Sequence, residues 1–258
     1  MKDVVKVAAV GDTHCKKTTQ GELRNVFAEI NQSADILVLC GDLTDYGLPE
    51  EAQIFVKELA PVKIPIVGVL GNHDFESDKE QEVTQILTDA GVTILDGEAT
   101  EILGIGFAGT KGFCGGFGRG ALGPWGEPAI KSFVNEAVQE ALKLESALAR
   151  LRTNERIAIL HYAPIKDTVD GEPIEIYPYL GTSRLEEPLL RYPVDVVFHG
   201  HAHSGSLEGI TSSGTPVYNV AMPLLRKRLP DKPPFHIFEI KLTMEESVAA
   251  PSSVAAPS

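Results

Sequence analysis

Positive charge is what this chain has least of: 23 lysines and arginines stand against 36 aspartates and glutamates in 258 residues, a formal net charge of −13. That balance opposes general attraction to nucleic acid or to an anionic membrane, both of which need a cationic face. Cysteine is scarce as well. Cys15, Cys40 and Cys114 are an odd number without regular spacing, which argues against a disulfide framework and for free thiols in a reducing compartment. Long apolar runs are missing too. The first one, Val4 to Val10, is too short for a signal peptide or a membrane span, so a cytoplasmic protein is expected. At 43% hydrophobic and 23% charged residues, the composition is that of a globular protein able to bury a large core.

What the chain does have is strands that end alike. Val4 to Val10 reads as a buried strand and stops at Gly11-Asp12-Thr13-His14. Ile36 to Cys40 stops at Gly41-Asp42-Leu43-Thr44-Asp45, and Ile64 to Leu70 at Gly71-Asn72-His73-Asp74. Ile157 to Leu160 runs into His161, and Val194 to Phe198 into His199-Gly200-His201-Ala202-His203. Between them lie helical patterns. Leu23, Val26, Phe27 and Ile30 repeat at i, i+3, i+4 and i+7; Pro49 heads Glu50 to Leu59; Val83, Ile86, Leu87 and Ala90 precede Gly91; and a long helix spans Glu127 to Arg152. Val92 to Leu95, Ile102 to Ala108, Ser206 to Ile210, Pro216 to Val220 and Phe235 to Lys241 complete the strands. Alternation of this kind predicts a layered α/β fold.

Five of the seven histidines, His14, His73, His161, His201 and His203, sit just after strands, with Asp12, Asp42 and Asn72. Ligands bind at such strand ends in α/β proteins. Imidazole, carboxylate and amide oxygen without thiolate suit divalent Mn, Fe or Zn. Two such ions can activate one water and hold a phosphoryl group.

Asp-x-His, Gly-Asp-x-x-Asp, Gly-Asn-His-Asp, a lone His after a strand and Gly-His-x-His, in that order from Asp12 to His203, resemble the calcineurin-like metallophosphoesterase superfamily. The resemblance implies a four-layer α/β/β/α sandwich: two mixed β-sheets flanked by helices. It also implies a dinuclear centre whose bridging hydroxide attacks phosphorus in small phosphodiesters or phosphomonoesters. Carried over residue by residue, it assigns Asp12, His14 and His203 to one metal, Asn72, His161 and His201 to the second, and Asp42 as the bridge. His73 is then the proton donor to the leaving group, with Asp45 hydrogen-bonded to it. Asp74 is a supporting carboxylate, for a ligand or for loop amides. Tyr46-Gly47 replaces the Arg-Gly of the family's Ser/Thr protein phosphatases, which disfavours that branch. The net charge disfavours a nuclease. The alternative reading is a non-catalytic scaffold with the same fold.

The remaining expectations concern loops. Residues 109–126 hold eight glycines, too many to pack a core, so a lid or surface loop is expected. Its Lys111 and Arg119, with Arg184 farther on, are candidate contacts for the substrate phosphate. Residues 165–182 read as a long loop, and Ser183 with Glu186 as a capping box. Arg226-Lys227-Arg228 reads as a solvated turn, and His199 and His236 as structural histidines. Residues 1–245 are expected to form the phosphoesterase domain and 246–258 a disordered tail.

Overall fold

In the computed structural model, which describes residues 2–243, strand β1 (Val4–Val10) is covered on both sides. Val5, Val7 and Ala9 enter one apolar core, and Ala8 and Val10 enter another, because successive side chains of a strand point to opposite faces. In β2 (Ile36–Cys40), Ile36, Val38 and Cys40 join the first core, and Leu37 and Leu39 the second. Unbroken apolar runs of this kind belong to parallel strands buried on both faces. β1, β2, β3 (Ile66–Val69) and β4 (Val92–Ile94) are indeed parallel. β11 (His236–Lys241) adds antiparallel to β1, giving the order β11-β1-β2-β3-β4.

The second sheet runs β5-β6-β7-β8-β10-β9, from β5 (Glu98–Ile102), β6 (Ile105–Gly109), β7 (Arg156–Ile159), β8 (Val196–His199), β9 (Glu208–Ile210) and β10 (Pro216–Asn219). Its inner junctions are parallel and its two edges antiparallel. Ile105, Phe107, Ile157, Ile159 and Phe198 face the first sheet across the shared core. On the outer face of the first sheet lie α1 (Arg24–Ser33), α2 (Pro49–Glu58) and α3 (Glu80–Asp89), inserting Phe27, Ile30, Phe55, Val83 and Leu87. α4 (Pro128–Arg150) and α6 (Glu186–Arg191) cover the outer face of the second through Leu144, Ala147, Leu148 and Leu189. The result is the expected four-layer α/β/β/α sandwich of two mixed sheets.

Several expectations are corrected. Ile102 to Ala108 is a hairpin, not one strand: Ile102 pairs with Ile105 across Leu103 and Gly104, both at positive φ, as a two-residue turn requires. Residues 165–182 hold short 3-10 turns at Asp167–Val169 and Ile174–Ile176 and a helical turn, α5 (Tyr177–Leu180). Ser183 caps no helix. Thr182 takes the cap, accepting from Arg184 N, while the Ser183 hydroxyl accepts from Gly118 N. Arg226, Lys227 and Arg228 form the last turn of α7 (Met222–Arg228), where cations complement the helix dipole. The glycine-rich stretch does feed the core: positive φ at Gly112, Gly115 and Gly116 turns the chain so that Cys114 is buried and Phe113 packs beside it. His199 is buried against Thr168 Oγ1 (2.8 Å) and His236 stacks on Tyr218, as structural histidines should. The expected tail, 246–258, lies outside the described residues.

Phe107 is fully buried between the sheets, and Leu142 on α4 is 50% exposed. Phe107→Ala should therefore cost about 3–5 kcal/mol of unfolding free energy, against roughly 0.5 kcal/mol or less for Leu142→Ala. Urea denaturation curves of the two variants check this contrast.

Candidate metal centre

The two sheets bring their strand ends to one seam. Beyond β1 and β2 the backbones run side by side: Asp12 N donates to Gly41 O (2.9 Å) and His14 N to Asp42 O (3.0 Å). In the second sheet, Gly200 N donates to His161 O (3.1 Å) and His161 N to Lys111 O (3.0 Å). Hydrogen bonds then cross the seam. His201 N donates to both oxygens of Asp12 (2.9 and 3.0 Å), and His161 Nδ1 donates to Cys40 O (2.9 Å).

Close approach at the seam strains the backbone. Six non-glycine described residues have positive φ, and four of them are Asp12, His14, Asp42 and His201. A left-handed conformation is costly for such side chains and gathers at functional sites. Glycines provide the remaining clearance. A Cβ on Gly71 would strike Asp42 Oδ1, one on Gly200 would strike Asp12 Oδ2, and one on Gly41 would lie 2.6 Å from His161 Nδ1.

The side chains gather into two adjoining groups. Asp12, His14 and His203 form one, and Asp42, His161 and His201 the other, with the ligand atoms of each within 4.8 Å of one another. Asn72 joins the second through Oδ1, 2.9 Å from His161 Nε2. Asp42 lies between them, Oδ2 3.8 Å from His14 Nε2 and Oδ1 3.4 Å from His161 Nε2. His73 stands edge-on to His14 at 4.6 Å.

Asp45 and Asp74 show where short polar side chains go once the loops close. The Asp45 carboxylate faces His14 Nδ1 (3.4 Å) and Lys16 Nζ (3.6 Å), and it is the Asp45 main-chain carbonyl that accepts from His73 Nδ1 (2.7 Å). The expected side-chain bond from Asp45 to His73 is thus replaced by a main-chain one. Asp74 is fully buried and accepts from Leu43 N, Thr44 N, Thr44 Oγ1 and Gly71 N. Its task is to tie the second motif to the third.

The donor set can be tested against a divalent cation. Because His161 Nδ1 carries the hydrogen to Cys40 O, Nε2 presents a lone pair to Asn72 Oδ1 and Asp42 Oδ1. Acceptors thus face acceptors, and a cation relieves them. His201 repeats the arrangement, with Nε2 donating to Tyr179 O (3.1 Å), and such an outer bond fixes the tautomer of a ligating imidazole. His14 Nδ1 is buried without a hydrogen bond, and the His14 and His203 Nε2 atoms lie 3.4 Å apart. Burial lowers the pKa of His14, drives that of His161 far down and brings His201 to about 3, so these rings are in the neutral form that binds metal. Burial opposes charge on His203 as well, but its bond to Asp12 raises its pKa. Burial, with the nearby Asp12 charge, pushes the Asp42 carboxyl well above its ordinary value. Two buried acids whose ion-pair partners among the described residues are all imidazoles fit divalent ions.

The cationic candidates separate. Arg184 Nη2 donates to Leu122 O (3.0 Å) and pins the glycine-rich stretch, and Arg119 is exposed. Lys111 sits among Phe75, Phe113 and Tyr162, its Nζ 5.2 to 5.5 Å from the ring centres. Sequence reasoning missed Glu140, buried on α4, which accepts from Thr110 Oγ1 (2.5 Å), Gly112 N (2.8 Å) and Lys143 Nζ (2.7 Å). Its signal was available: Val134, Ala137, Glu140, Leu144 and Ala147 make one buried stripe, and an acid on such a stripe needs partners.

The model of the calcineurin-like phosphoesterase family matches residues 5–205. The chain belongs to that family. Metallophosphoesterases use divalent metal ions, and the described residues include groups that could hold them. The 3′,5′-cyclic adenosine monophosphate phosphodiesterase CpdA of Haemophilus influenzae is 28% identical over 114 residues, 40% of this chain. That match spans only 42% of the relative's length. Among solved structures, the phosphopantetheinyl hydrolase PptH of Mycobacterium tuberculosis is similar at TM-score 0.65 and 15% identity, over 95% of this chain and 98% of that one. The purple acid phosphatase PPD1 of yellow lupin (Lupinus luteus) seeds is similar at TM-score 0.55 and 14% identity, over 87% and 44%. At these identities the structural likenesses carry the fold alone. No helix of the described residues is long and apolar enough to cross a membrane.

Gly200→Ala places a Cβ against Asp12 Oδ2 and Cys40 O and should displace the Asp12 carboxylate. Thermal denaturation with and without added Mn²⁺ checks it: the wild-type Tm should rise with the ion by linkage, and the variant should lose most of that rise. An equal rise in both would show that the Asp12 position is not critical.

Proposed function

We propose that this chain hydrolyses small phosphoric esters at a dinuclear centre, with Asp12, His14 and His203 holding one divalent ion, Asn72, His161 and His201 the other, and Asp42 between them. The observation that carries this reading is the paired grouping of imidazoles around two buried acids at the seam. Mn²⁺, Fe and Zn²⁺ suit the thiolate-free set. Such ions supply Lewis acidity, which neutralises charge on phosphoryl oxygens and activates water.

The chain's own residues do the rest. Asp12 fixes the two-histidine loop by accepting His201 N through both carboxylate oxygens (2.9 and 3.0 Å). Asp42 accepts His73 N (2.8 Å), which sets the turn carrying that ring. With Nδ1–H committed to the Asp45 carbonyl, the His73 ring is oriented and Nε2 is left to face the substrate; the side chain is 35% exposed. In its protonated form Nε2 gives a proton to the departing oxygen. The cyclic-nucleotide phosphodiesterase among the relatives supports a small phosphodiester as substrate, and phosphomonoesters stand beside it.

Turnover of bis-aryl and mono-aryl phosphates with added Mn²⁺ tests the reading. His73→Ala should lower kcat by about 10²–10⁴-fold, and Asp42→Asn should abolish metal-dependent turnover. Wild-type rates in both variants would refute the assignment, and a wild type that turns over neither ester would favour a non-catalytic scaffold on this fold.

A further inference from the structure

A cleft of about 490 Å³ lies between α3 and the strands that follow it, and Phe75 and Lys111, from the segments next to His73 and His161, line it; its volume is within the size range of small-molecule sites. Its connection to the cluster runs through Lys111. The Lys111 carbonyl accepts from both His161 N and Tyr162 N. Its Nζ lies 5.5 Å from the centre of the Tyr162 ring, whose other neighbours are His201 at 4.4 Å and His161 at 5.4 Å. Phe75, also against Nζ, belongs to the short turn that carries His73. The Tyr162 ring therefore has both the ammonium and two candidate metal ligands as neighbours, and Lys111 forms part of the cleft wall.

The lysine is held and yet unspent. Glu140 binds the residues on either side of it, Thr110 and Gly112, from a fully buried position. Of the three ammonium hydrogens, one goes to Gly112 O at 3.1 Å. Burial lowers its pKa, while the surrounding rings favour the charge without consuming the other donors. The remaining walls combine apolar Phe75, Ile94 and Leu95 with Gln81, Thr84 and Gln85 from one face of α3. Amide and hydroxyl groups match a ligand edge that carries both donors and acceptors. Glu80, Asp96 and Glu98 also line the cleft, which disfavours an anionic group inside it and leaves the phosphoryl end on the His73 side.

We propose that this cleft receives the organic portion of the ester, a neutral flat ring with donors and acceptors on its edge, and that Lys111 contacts it by donating to an acceptor on that ring. The inference rests on the phosphoester reading above and adds the subsite that selects among esters. Among the described residues Lys111 is the one cation lining the cleft, so a ring acceptor has a single charged donor to find there.

Calorimetry on the full chain with Mn²⁺, using adenosine 5′-monophosphate and inorganic phosphate as probes, tests it. Wild type should bind the nucleotide at least about tenfold more tightly than phosphate, the worth of one charge-assisted hydrogen bond. Lys111→Met, which keeps the aliphatic stem among the rings, should weaken nucleotide binding about tenfold and leave phosphate within about twofold. Thr84→Phe, which fills the cleft away from the metal ligands, should do the same, and Lys111→Arg should restore part of the loss. Equal weakening of both probes, an unchanged nucleotide affinity in Lys111→Met and Thr84→Phe, or a wild type that binds the two probes alike would overturn the proposal. A wild type that binds neither probe would instead overturn the phosphoester reading on which it rests.

Discussion

Two carboxylates, Asp12 and Asp42, are buried side by side at the seam of the sheets, and the rest of the site is arranged around them. Among the described residues, every ion pair they make is with histidine. Burying charge without a cation is costly, and the usual remedy, an arginine or lysine, is absent from those pairs. The surrounding structure accepts the cost locally. Backbone amides of His201 and His73 point at the carboxylates, glycines clear the space beside them, and the chain adopts left-handed conformations to aim the groups inward. A divalent cation would complete that arrangement.

The fold serves this constraint directly. Parallel strands end together at one edge, so each β-to-loop junction contributes one or two polar groups without long excursions of chain. Two facing sheets double the number of junctions and let one group be supplied from both sides: Asp12 from the first sheet bonds His201 and His203 from the second. Outside the seam, Asp74, Glu140 and the His199–Thr168 pair hold the loops by buried hydrogen bonds. Such supports let short polar side chains keep their places without packing of their own.

Much of this was legible in the sequence, and the reasons for the rest are physical. Buried parallel strands write themselves as unbroken Val, Ile and Leu runs, and their ends as Gly followed by Asp, Asn or His, so the layers and the converging groups could be read. The β5–β6 hairpin could not, because Leu103 takes a left-handed turn position that leucine does not advertise. The glycine-rich stretch looked free because main-chain bonds, such as Gly115 N to Pro178 O (2.7 Å) and Gly116 N to Gly181 O (2.9 Å), have no side-chain signature. Asp45 illustrates the same limit. Its spacing places it beside His73, but whether carboxylate or carbonyl makes the contact depends on local backbone angles.

The central claim is that the seam holds two divalent ions, one on each side of Asp42. Elemental analysis of protein reconstituted with Mn²⁺ and then desalted measures it most directly. The account predicts about two ions per chain in wild type and about one in each of His14→Ala and His161→Ala. A wild type that retains none, or both variants retaining about two, would contradict it.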